Sequence, residues 1–291
     1  MRHPGPVGGK NCFPFWGLEN NSMGLPALQE IQTSEYRLSY RERGCGDVLF
    51  FVHGMGCGSV NWETQYEKFS DRYRVIGWDA PGYGESTDFD TDLPSVADYV
   101  MAMASFLDAL GIERAHLVGH SYGGIMVAAF NRAFPDRVQS LTLAQPVVGG
   151  GVEKQGDREK EITERAVQVE KMGMSVYAKH HVPRSCAPNA TEDVIAKGIE
   201  LTAKMRQAGY LRQFRSLKHA NIFEWTSKPK VPSMVVSGEF DETADKKMVE
   251  KIANEMPGIR HEEIKDIGHM IYLEHPERLN RLLESFLSEI G

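Results

Sequence analysis

The chain has 291 residues, of which 41% are apolar and 25% charged, a composition typical of a globular protein with a substantial core. Its formal net charge of −7 argues against binding to nucleic acid or to an anionic membrane surface. Its apolar runs fall short of the roughly 18 residues of a membrane span, and the first residues lack the apolar stretch of a secretory signal, so we expect a cytoplasmic protein.

The first predicted elements lead from an irregular arm into a sheet. Residues 1–28 are rich in Gly, Pro and Asn, which predicts an irregular N-terminal arm. Two runs of alternating polar and apolar residues, at 29–33 and 36–43, predict antiparallel strands. The continuous apolar run at 48–53 ends at a glycine, as is typical of a strand buried on both faces.

The following stretch alternates helices with buried strands. The predicted segments are helix 62–69, strand 73–78, helix 93–110, strand 115–119, helix 125–134 and strand 138–143. This order predicts a parallel sheet with helices on both faces, an α/β fold. Residues 29–144 are therefore predicted to form the first part of an α/β core.

The alternation is interrupted once. Residues 145–228 are polar and helical in pattern, without a buried strand, which predicts a helical cap inserted over the carboxyl ends of the strands. Alternation returns in residues 229–291, which are predicted to form the second part of the core. The segments there are strand 231–237, helix 246–256, strand 261–264 and helix 276–290.

A serine flanked by glycines follows the strand predicted at 115–119, in Gly119-His120-Ser121-Tyr122-Gly123. The pattern Gly-x-Ser-x-Gly between a strand and a helix is typical of a sharp turn that raises a nucleophilic hydroxyl above the sheet. The hydroxyl would then lie near the positive end of the following helix. A glycine-lined turn with a capping serine would show the same pattern, so the serine needs partners elsewhere in the chain.

Two such partners occur in the expected chain order. Asp241 follows the strand predicted at 231–237, and His269 lies between the last predicted strand and the last predicted helix. A serine hydroxyl needs a base to take its proton, and side chains at strand ends meet above the sheet edge. We therefore predict Ser121 as the nucleophile, His269 as its base and Asp241 as the residue that orients the base.

Other residues of the same types could also fill these roles. Three nearby carboxylates could compete for the acid role, namely Glu239, Glu242 and Asp245. Asp241 is preferred because it falls at the usual offset from the strand. The histidines His53, His116 and His120 are interpreted as structural or neighbouring, and the pair His180 and His181 lies in the predicted cap without the spacing of a metal site.

Charge that develops on a substrate carbonyl oxygen needs hydrogen-bond donors fixed in advance. The backbone N–H of Tyr122, directly after the serine, is one predicted donor. The backbone N–H of Met55, in the loop His53-Gly54-Met55-Gly56, is the other, because the glycines let the backbone turn inward. A simple glycine-rich strand exit is the alternative interpretation of this loop.

Positive charge is concentrated in the predicted cap. Residues 146–228 carry 14 Lys and Arg against 10 Asp and Glu, and a cationic group recurs there at helical spacing: Arg206, Arg212, Arg215, Lys218 and His219. A solvated helix face is the favoured interpretation. The alternative is that one of these arginines points toward the site and holds a substrate carboxylate bidentately.

Four cysteines occur at irregular spacing, without a C-x-x-C pair: Cys12, Cys45, Cys57 and Cys186. Disulfide or metal use would require closer grouping or a secretory context. We expect free thiols, no metal and no organic cofactor.

From about residue 30 to its end, the chain resembles α/β-hydrolases. The resemblance rests on His53-Gly54-Met55-Gly56, Trp62 with Gln65, the run Asp79-Ala80-Pro81-Gly82-Tyr83-Gly84-Glu85-Ser86, the glycine-flanked Ser121, Gly238-Glu239-Phe240-Asp241, and Gly268-His269 followed by Glu274-His275-Pro276-Glu277. It implies a mostly parallel, eight-stranded sheet flanked by helices. It also implies triad roles for Ser121, Asp241 and His269, and oxyanion roles for Met55 and Tyr122.

Within that family the chain is similar to bacterial esterases, enol-lactonases and carbon–carbon bond hydrolases of aromatic degradation. Serine at position 121, where dehalogenases and epoxide hydrolases use aspartate, argues against those two chemistries. Met270 stands where the carbon–carbon hydrolases usually have tryptophan. We therefore expect hydrolysis of a small carboxylic ester or lactone through an acyl-enzyme. The alternatives are carbon–carbon cleavage of an aromatic ring-fission product and a non-catalytic ligand receptor.

Overall fold

The computed structural model of the protein describes residues 24–152, 156–226 and 229–290, with no description of the side chains of 156–158. Most of the predicted N-terminal arm, residues 1–28, lies outside the described residues. Its last five residues run without regular structure into the first strand.

Eight strands form one sheet in the order β1-β2-β4-β3-β5-β6-β7-β8. The strands are β1 (Gln29–Gln32), β2 (Arg37–Arg43), β3 (Asp47–Val52), β4 (Tyr73–Trp78), β5 (Ala115–His120), β6 (Val138–Ala144), β7 (Ser233–Gly238) and β8 (Arg260–Ile264). β1 and β2 pair antiparallel with their neighbours, whereas the other six strands are parallel to one another. The predicted eight-stranded, mostly parallel sheet is confirmed.

The central strand β3 shows why both faces of the sheet are covered. Successive side chains of a strand point to opposite faces, and Phe50 and Phe51 are both fully buried. The Phe50 ring stacks on Phe106 on one face, with centroids 5.6 Å apart, and the Phe51 ring lies 4.9 Å from Trp62 on the other. Two separate apolar layers therefore form, one on each side of the sheet.

The described residues contain ten α-helices. They are α1 (Glu63–Phe69), α2 (Val96–Ala109), α3 (Tyr122–Ala133), α4 (Gly156–Met172), α5 (Met174–Ser185), α6 (Glu192–Ala203), α7 (Gln207–His219), α8 (Lys246–Glu255), α9 (Ile271–Glu274) and α10 (Pro276–Ile290). The one-turn α9 was not predicted, because four residues are too few to show helical periodicity. None of these helices combines the length and apolar content that a bilayer crossing requires.

The N-terminus of α2 shows how capping moved a predicted boundary. The apolar pattern predicted a helix from residue 93, but α2 begins at Val96. The Ser95 hydroxyl accepts a hydrogen bond from the Asp98 backbone N–H, and the Asp98 carboxylate accepts one from the Ser95 N–H at 2.7 Å. This reciprocal pair satisfies two N–H groups at the helix end and fixes the start of the helix there.

Between β6 and β7 the described residues form the four helices α4–α7 and one 3₁₀ turn, without a strand. We call this segment the helical insertion. Helix α7 and the residue before it, Arg206, carry the cationic stripe noted in the sequence. Carboxylates pair with four side chains of the stripe: Arg206 and Arg212 with Asp88, Arg215 with Glu170, and Lys218 with Glu159, at 2.5 to 3.3 Å. Those arginines are engaged by the protein's own carboxylates, and the cavity that holds Ser121, described below, is not lined by any of them; both findings favour the interpretation of the stripe as an outer helix face.

The two buried cysteines of the described residues are free thiols. The Cys57 Sγ–H donates to the Tyr272 hydroxyl at 2.8 Å, and Cys186 lies beside Met270. Burial raises the pKa of both thiols to about 12. Both therefore stay protonated and act as small apolar groups in the core.

Helix α7 touches the loop after β4 backbone to backbone. A Cβ atom added to Gly209 would lie 2.1 Å from the carbonyl oxygen of Gly82. A Cβ atom added to Gly82 would lie 2.8 Å from the Cα of Gly209. Neither backbone can yield without moving a helix or a turn. Glycine at position 209 therefore allows the helical insertion to seat directly on the core.

We expect Gly209→Ala to destabilise the protein by about 1–3 kcal/mol, the usual effect of overpacking a site that cannot relax. Thermal unfolding followed by circular dichroism measures the change. Ala208→Ser, at an exposed position of the same helix, is the control and is expected to change the midpoint little. A Gly209→Ala protein as stable as the wild type would contradict the close contact.

Candidate active site

Ser121 occupies a strained turn between β5 and α3. Its backbone angles are φ 55° and ψ −119°, a conformation that residues other than glycine rarely adopt. The turn is closed by the Ser121 N–H, which donates to Ala144 at 3.0 Å, and by the Gly124 N–H, which donates back to Ser121 at 2.9 Å. The hydroxyl is thereby held at the carboxyl edge of the sheet.

The two flanking glycines are required by contact. A Cβ atom on Gly119 would lie 2.3 Å from the Gly123 carbonyl oxygen, and one on Gly123 would lie 2.2 Å from the Val52 carbonyl oxygen. Such distances do not occur between non-bonded atoms, so no larger residue fits at either position. The helix α3 can therefore start immediately after Ser121, three residues earlier than the sequence predicted.

The structure brings the three predicted triad side chains together. The His269 Nε2 lies 2.9 Å from the Ser121 Oγ, and the His269 Nδ1 lies 2.8 Å from an Asp241 carboxylate oxygen. A carboxylate only accepts hydrogen bonds, so it fixes the imidazole proton on Nδ1 and leaves Nε2 to accept the serine proton. All three residues are buried.

The Asp241 carboxylate is held by backbone and side-chain donors. One oxygen accepts from the backbone N–H groups of Thr243 and Ala244, at 2.9 and 2.8 Å, and the other accepts from the Gln145 side-chain amide at 2.9 Å as well as from His269. Charge-assisted bonds of this kind fix the orientation of a carboxylate.

The competing carboxylates have other roles. Glu239 accepts from the Asp266 backbone N–H, and Asp245 caps helix α8. Glu242 is exposed and lines the cavity described below. Asp241 is thus the carboxylate that contacts His269.

Gln145 is a residue of the site that sequence reasoning missed. It directly follows β6, is completely buried and adopts a positive φ of 49°. Its amide nitrogen donates both to Asp241 and to the Gly268 carbonyl oxygen, next to His269. The available signal was its position, because the end of the strand beside β5 must lie close to the serine turn.

Neutral histidines support the loops around Ser121. His120 donates from Nε2 to the His269 carbonyl oxygen at 2.8 Å, while burial, followed by the proximity of His269, lowers the pKa of His120 to about 3. His53 donates from Nδ1 to the Gly54 carbonyl and accepts on Nε2 from the Ala80 N–H at 3.0 Å. Burial lowers the pKa of His53 as well, so that its Nε2 stays free to accept.

The loop that contains Met55 passes directly over the serine. A Cβ atom on Gly54 would lie 2.7 Å from the Ser121 Cβ, so the backbone before Met55 contacts the serine side chain. Tyr122 is the first residue of α3, and its N–H is one of those at a helix start without an intrahelical acceptor. The two predicted oxyanion donors thus belong to the two backbone segments that flank Ser121.

The loop that contains His269 is tied to the helical insertion. The His269 N–H donates to the Ser185 carbonyl oxygen, at the end of α5, at 2.6 Å. The Glu274 carboxylate accepts from the backbone N–H groups of Gly268 and Met270 and from that of Ala187 in the insertion, at 2.7 to 3.0 Å. The position of His269 therefore depends on contacts from both the core and the insertion.

A small cavity of about 60 Å³ contains Ser121 and His269 and is roofed by the helical insertion. Its lining from the insertion comprises Glu161, Ile162, Arg165, His181, Tyr210 and Leu217. An outer cleft of about 460 Å³ adjoins it and shares Glu161, Arg165, His181, Glu242 and Thr243 with it. A still larger cavity, of about 700 Å³, lies near Arg41 and Arg206 and includes none of the three triad side chains.

Known hydrolases are similar to this chain over most of its length. The chain is 24% identical over 261 residues to an (E)-2-((N-methylformamido)methylene)succinate hydrolase of Acinetobacter baylyi, an alignment that covers 88% of this chain and 97% of that protein. It is 29% identical over 277 residues to a 2-hydroxy-6-oxononadienedioate/2-hydroxy-6-oxononatrienedioate hydrolase of Burkholderia vietnamiensis, covering 87% and 92%.

A solved esterase of Thermogutta terrifontis with malate bound superposes with a TM-score of 0.81 at 23% identity, covering 91% of this chain and 99% of that one. At this identity the likeness concerns the fold. A profile of the alpha/beta hydrolase fold matches residues 47–276, well over half of the chain. The protein therefore belongs to the alpha/beta hydrolase fold family.

Proposed function

We propose that the protein is a serine hydrolase that cleaves a carboxylic ester or lactone of a small organic molecule through an acyl-enzyme on Ser121. The observation that carries this proposal is the buried, continuous contact from the Ser121 Oγ through both nitrogens of His269 to Asp241. A serine held in this way is activated by a base that is itself oriented, which is the arrangement that acyl transfer requires.

In the proposed acylation, His269 Nε2 takes the hydroxyl proton of Ser121 as the Oγ attacks the substrate carbonyl carbon. The carbonyl oxygen becomes an oxyanion that accepts hydrogen bonds from the backbone N–H groups of Met55 and Tyr122. Removing one such donor typically costs about 3 kcal/mol of transition-state stabilisation. The carbon–oxygen bond of the ester then breaks, and the leaving alkoxide takes the proton from His269.

Deacylation repeats the same steps with water. His269 takes a proton from a water molecule that attacks the acyl carbon, and the Ser121 Oγ leaves with that proton, releasing the carboxylic acid.

We assign residues 29–144 and 229–291 to the catalytic core and residues 145–228 to a cap. The lining of the cavity from α4, α5 and α7 supports this role, because it screens the acyl-enzyme from bulk water.

Carbon–carbon bond cleavage is the second candidate function. It is favoured by the similarity to the 2-hydroxy-6-oxononadienedioate hydrolase over 92% of that protein's length. Met270 favours the ester or lactone, because carbon–carbon hydrolases of this kind usually have tryptophan at this position. Parallel assays of 4-nitrophenyl esters, lactones and a dienoic ring-fission product, with the Ser121→Ala protein as blank, separate the two functions.

We expect Ser121→Ala to lower kcat for the best ester by about 10⁴-fold or more, because no other group can form the acyl bond. Intact-protein mass spectrometry of the wild type during turnover should show the mass of the acyl group, and the adduct should be absent from Ser121→Ala. Circular dichroism controls for the fold. Ester turnover that persists in the variant would refute the assignment of Ser121.

We expect Gln145→Leu to lower kcat by about 10-fold with little change in KM, since a positioned group loses its support but substrate contacts remain. Without the amide donor, more of the Asp241 carboxylate's hydrogen-bonding capacity is left for the imidazolium. The acidic limb of the kcat/KM profile should therefore move to higher pH.

Gln139→Leu, within β6 and six residues before Gln145, is the matched control and should leave both kcat and the pH profile unchanged. A Gln145→Leu enzyme with lower stability but the wild-type pH profile would show that the amide serves the fold alone.

A further inference from the structure

We propose that Arg165 binds a carboxylate of the substrate and makes the enzyme prefer esters or lactones that carry an anionic group. This inference rests on the proposed function, whose substrate class it narrows. It starts from the position of Arg165 in the middle of α4, where its side chain lines both the cavity above Ser121 and the adjoining outer cleft. The guanidinium therefore lies on the wall that the cleft and the cavity share.

The Arg165 side chain is held in place by neighbours that leave its charge intact. Its Nη2 donates to the His181 Nδ1 at 3.1 Å, and its guanidinium carbon lies 5.9 Å from the centre of the Phe214 ring. Only 23% of the side chain is exposed. A cation fixed in this way needs little reorganisation to accept a ligand.

His181 does not neutralise or repel an incoming anion. Burial, followed by the charge of Arg165, lowers the pKa of His181 to about 3, so the imidazole is neutral at physiological pH. Its ring stacks on Tyr177 with centroids 5.0 Å apart and an interplanar angle of 21°. The imidazole therefore acts as a rigid, uncharged acceptor that orients the guanidinium.

The carboxylate beside Arg165 is a weak competitor for it. Glu161 lies one helical turn earlier, its Oε1 is 3.6 Å from the Arg165 Nη1, and 62% of its side chain is exposed. Exposed pairs at this spacing contribute little to stability. Arg212 of the cationic stripe is paired more closely: its side chain is 14% exposed, and it donates to both Asp88 and Asp92 at 3.0 Å.

A substrate carboxylate would bind more strongly than Glu161 does. The planar guanidinium can donate two parallel N–H bonds to a carboxylate, and such bonds strengthen where water is excluded. The second carboxylate that lines both cavities, Glu242, is exposed and would repel an anion from its own side of the cavity. The anion is therefore expected on the Arg165 side of the cavity, between His181 and Ser121.

Two matched pairs of esters test the proposal. One pair places the charge on the acyl side, 4-nitrophenyl hydrogen adipate against 4-nitrophenyl hexanoate. The other places it on the leaving group, 4-acetoxybenzoate against phenyl acetate. For at least one pair we expect Arg165→Gln to lower the anionic-to-neutral ratio of kcat/KM by about 10- to 100-fold through KM, the range of a charge-assisted hydrogen bond. Arg165→Lys should retain part of the preference.

Arg215→Gln is the matched control, since Arg215 belongs to the same insertion but pairs with Glu170 and contacts the Asp92 carbonyl. It should change neither ratio. Ratios that stay at the wild-type value in Arg165→Gln for both pairs would overturn the proposal, as would an equal loss for the neutral esters.

A binding measurement separates failure of this inference from failure of the proposed function. Calorimetric titration of adipate into the Ser121→Ala protein needs no turnover. Binding that is lost in the double variant Ser121→Ala, Arg165→Gln but retained in the double variant Ser121→Ala, Arg215→Gln supports the anion site, even if no ester is hydrolysed. Binding equal in all three proteins overturns it, whatever the ester assays show.

Discussion

The site depends on the contact that closes the turn at Ser121. Gly123 lies against the carbonyl oxygen of Val52, and Gly119 lies against that of Gly123, so β3, β5 and the start of α3 meet without an intervening side chain. The strained backbone of Ser121 costs about 1–3 kcal/mol in such conformations, and the surrounding sheet supplies that energy. Next to the same turn, the backbone of Gly54 in the Met55 loop lies against the serine side chain.

Parallel strands explain how residues that are far apart in sequence converge on this turn. Met55, Ser121, Gln145, Asp241 and His269 follow β3, β5, β6, β7 and β8, which are consecutive neighbours in the sheet. Each residue leaves its strand at the carboxyl end, so all five lie along one edge. The hydrogen bonds from Gln145 to Asp241 and to Gly268 link three of these loops, and a displacement of one loop would be felt by the others.

Much of this could be predicted from sequence, because strand ends and motif residues are local signals. The strand at 73–78 and the helix at 276–290 occur where the patterns placed them, and the chain order of serine, acid and histidine sufficed to choose three residues that do meet. The capping of α2 by Ser95 and the single turn of α9 depend on side-chain hydrogen bonds and on Pro276, which periodicity does not register. Arg165 was missed for a different reason. Which face a helix of the insertion turns toward the core depends on tertiary packing, which the sequence pattern does not reveal, and the stripe at α7 was the more conspicuous group of arginines in the sequence.

The distribution of charge around Ser121 follows from the same packing. Desolvation keeps three histidines neutral, the buried His53 and His120 and the half-buried His181, so each serves as a donor or an acceptor of fixed direction and none adds charge to the cavity. The fixed charges around the serine are the Asp241 carboxylate, compensated by four donors, the Arg165 guanidinium, and the exposed carboxylates of Glu161 and Glu242, which line the same cavity. Because electrostatic interactions strengthen where water is excluded, a cation on the wall of a roofed cavity, whose carboxylate partner is mostly exposed, biases which molecules enter it. A neutral ester gains nothing from that charge, whereas we expect an ester with a carboxylate of its own to replace Glu161 as the partner of the guanidinium.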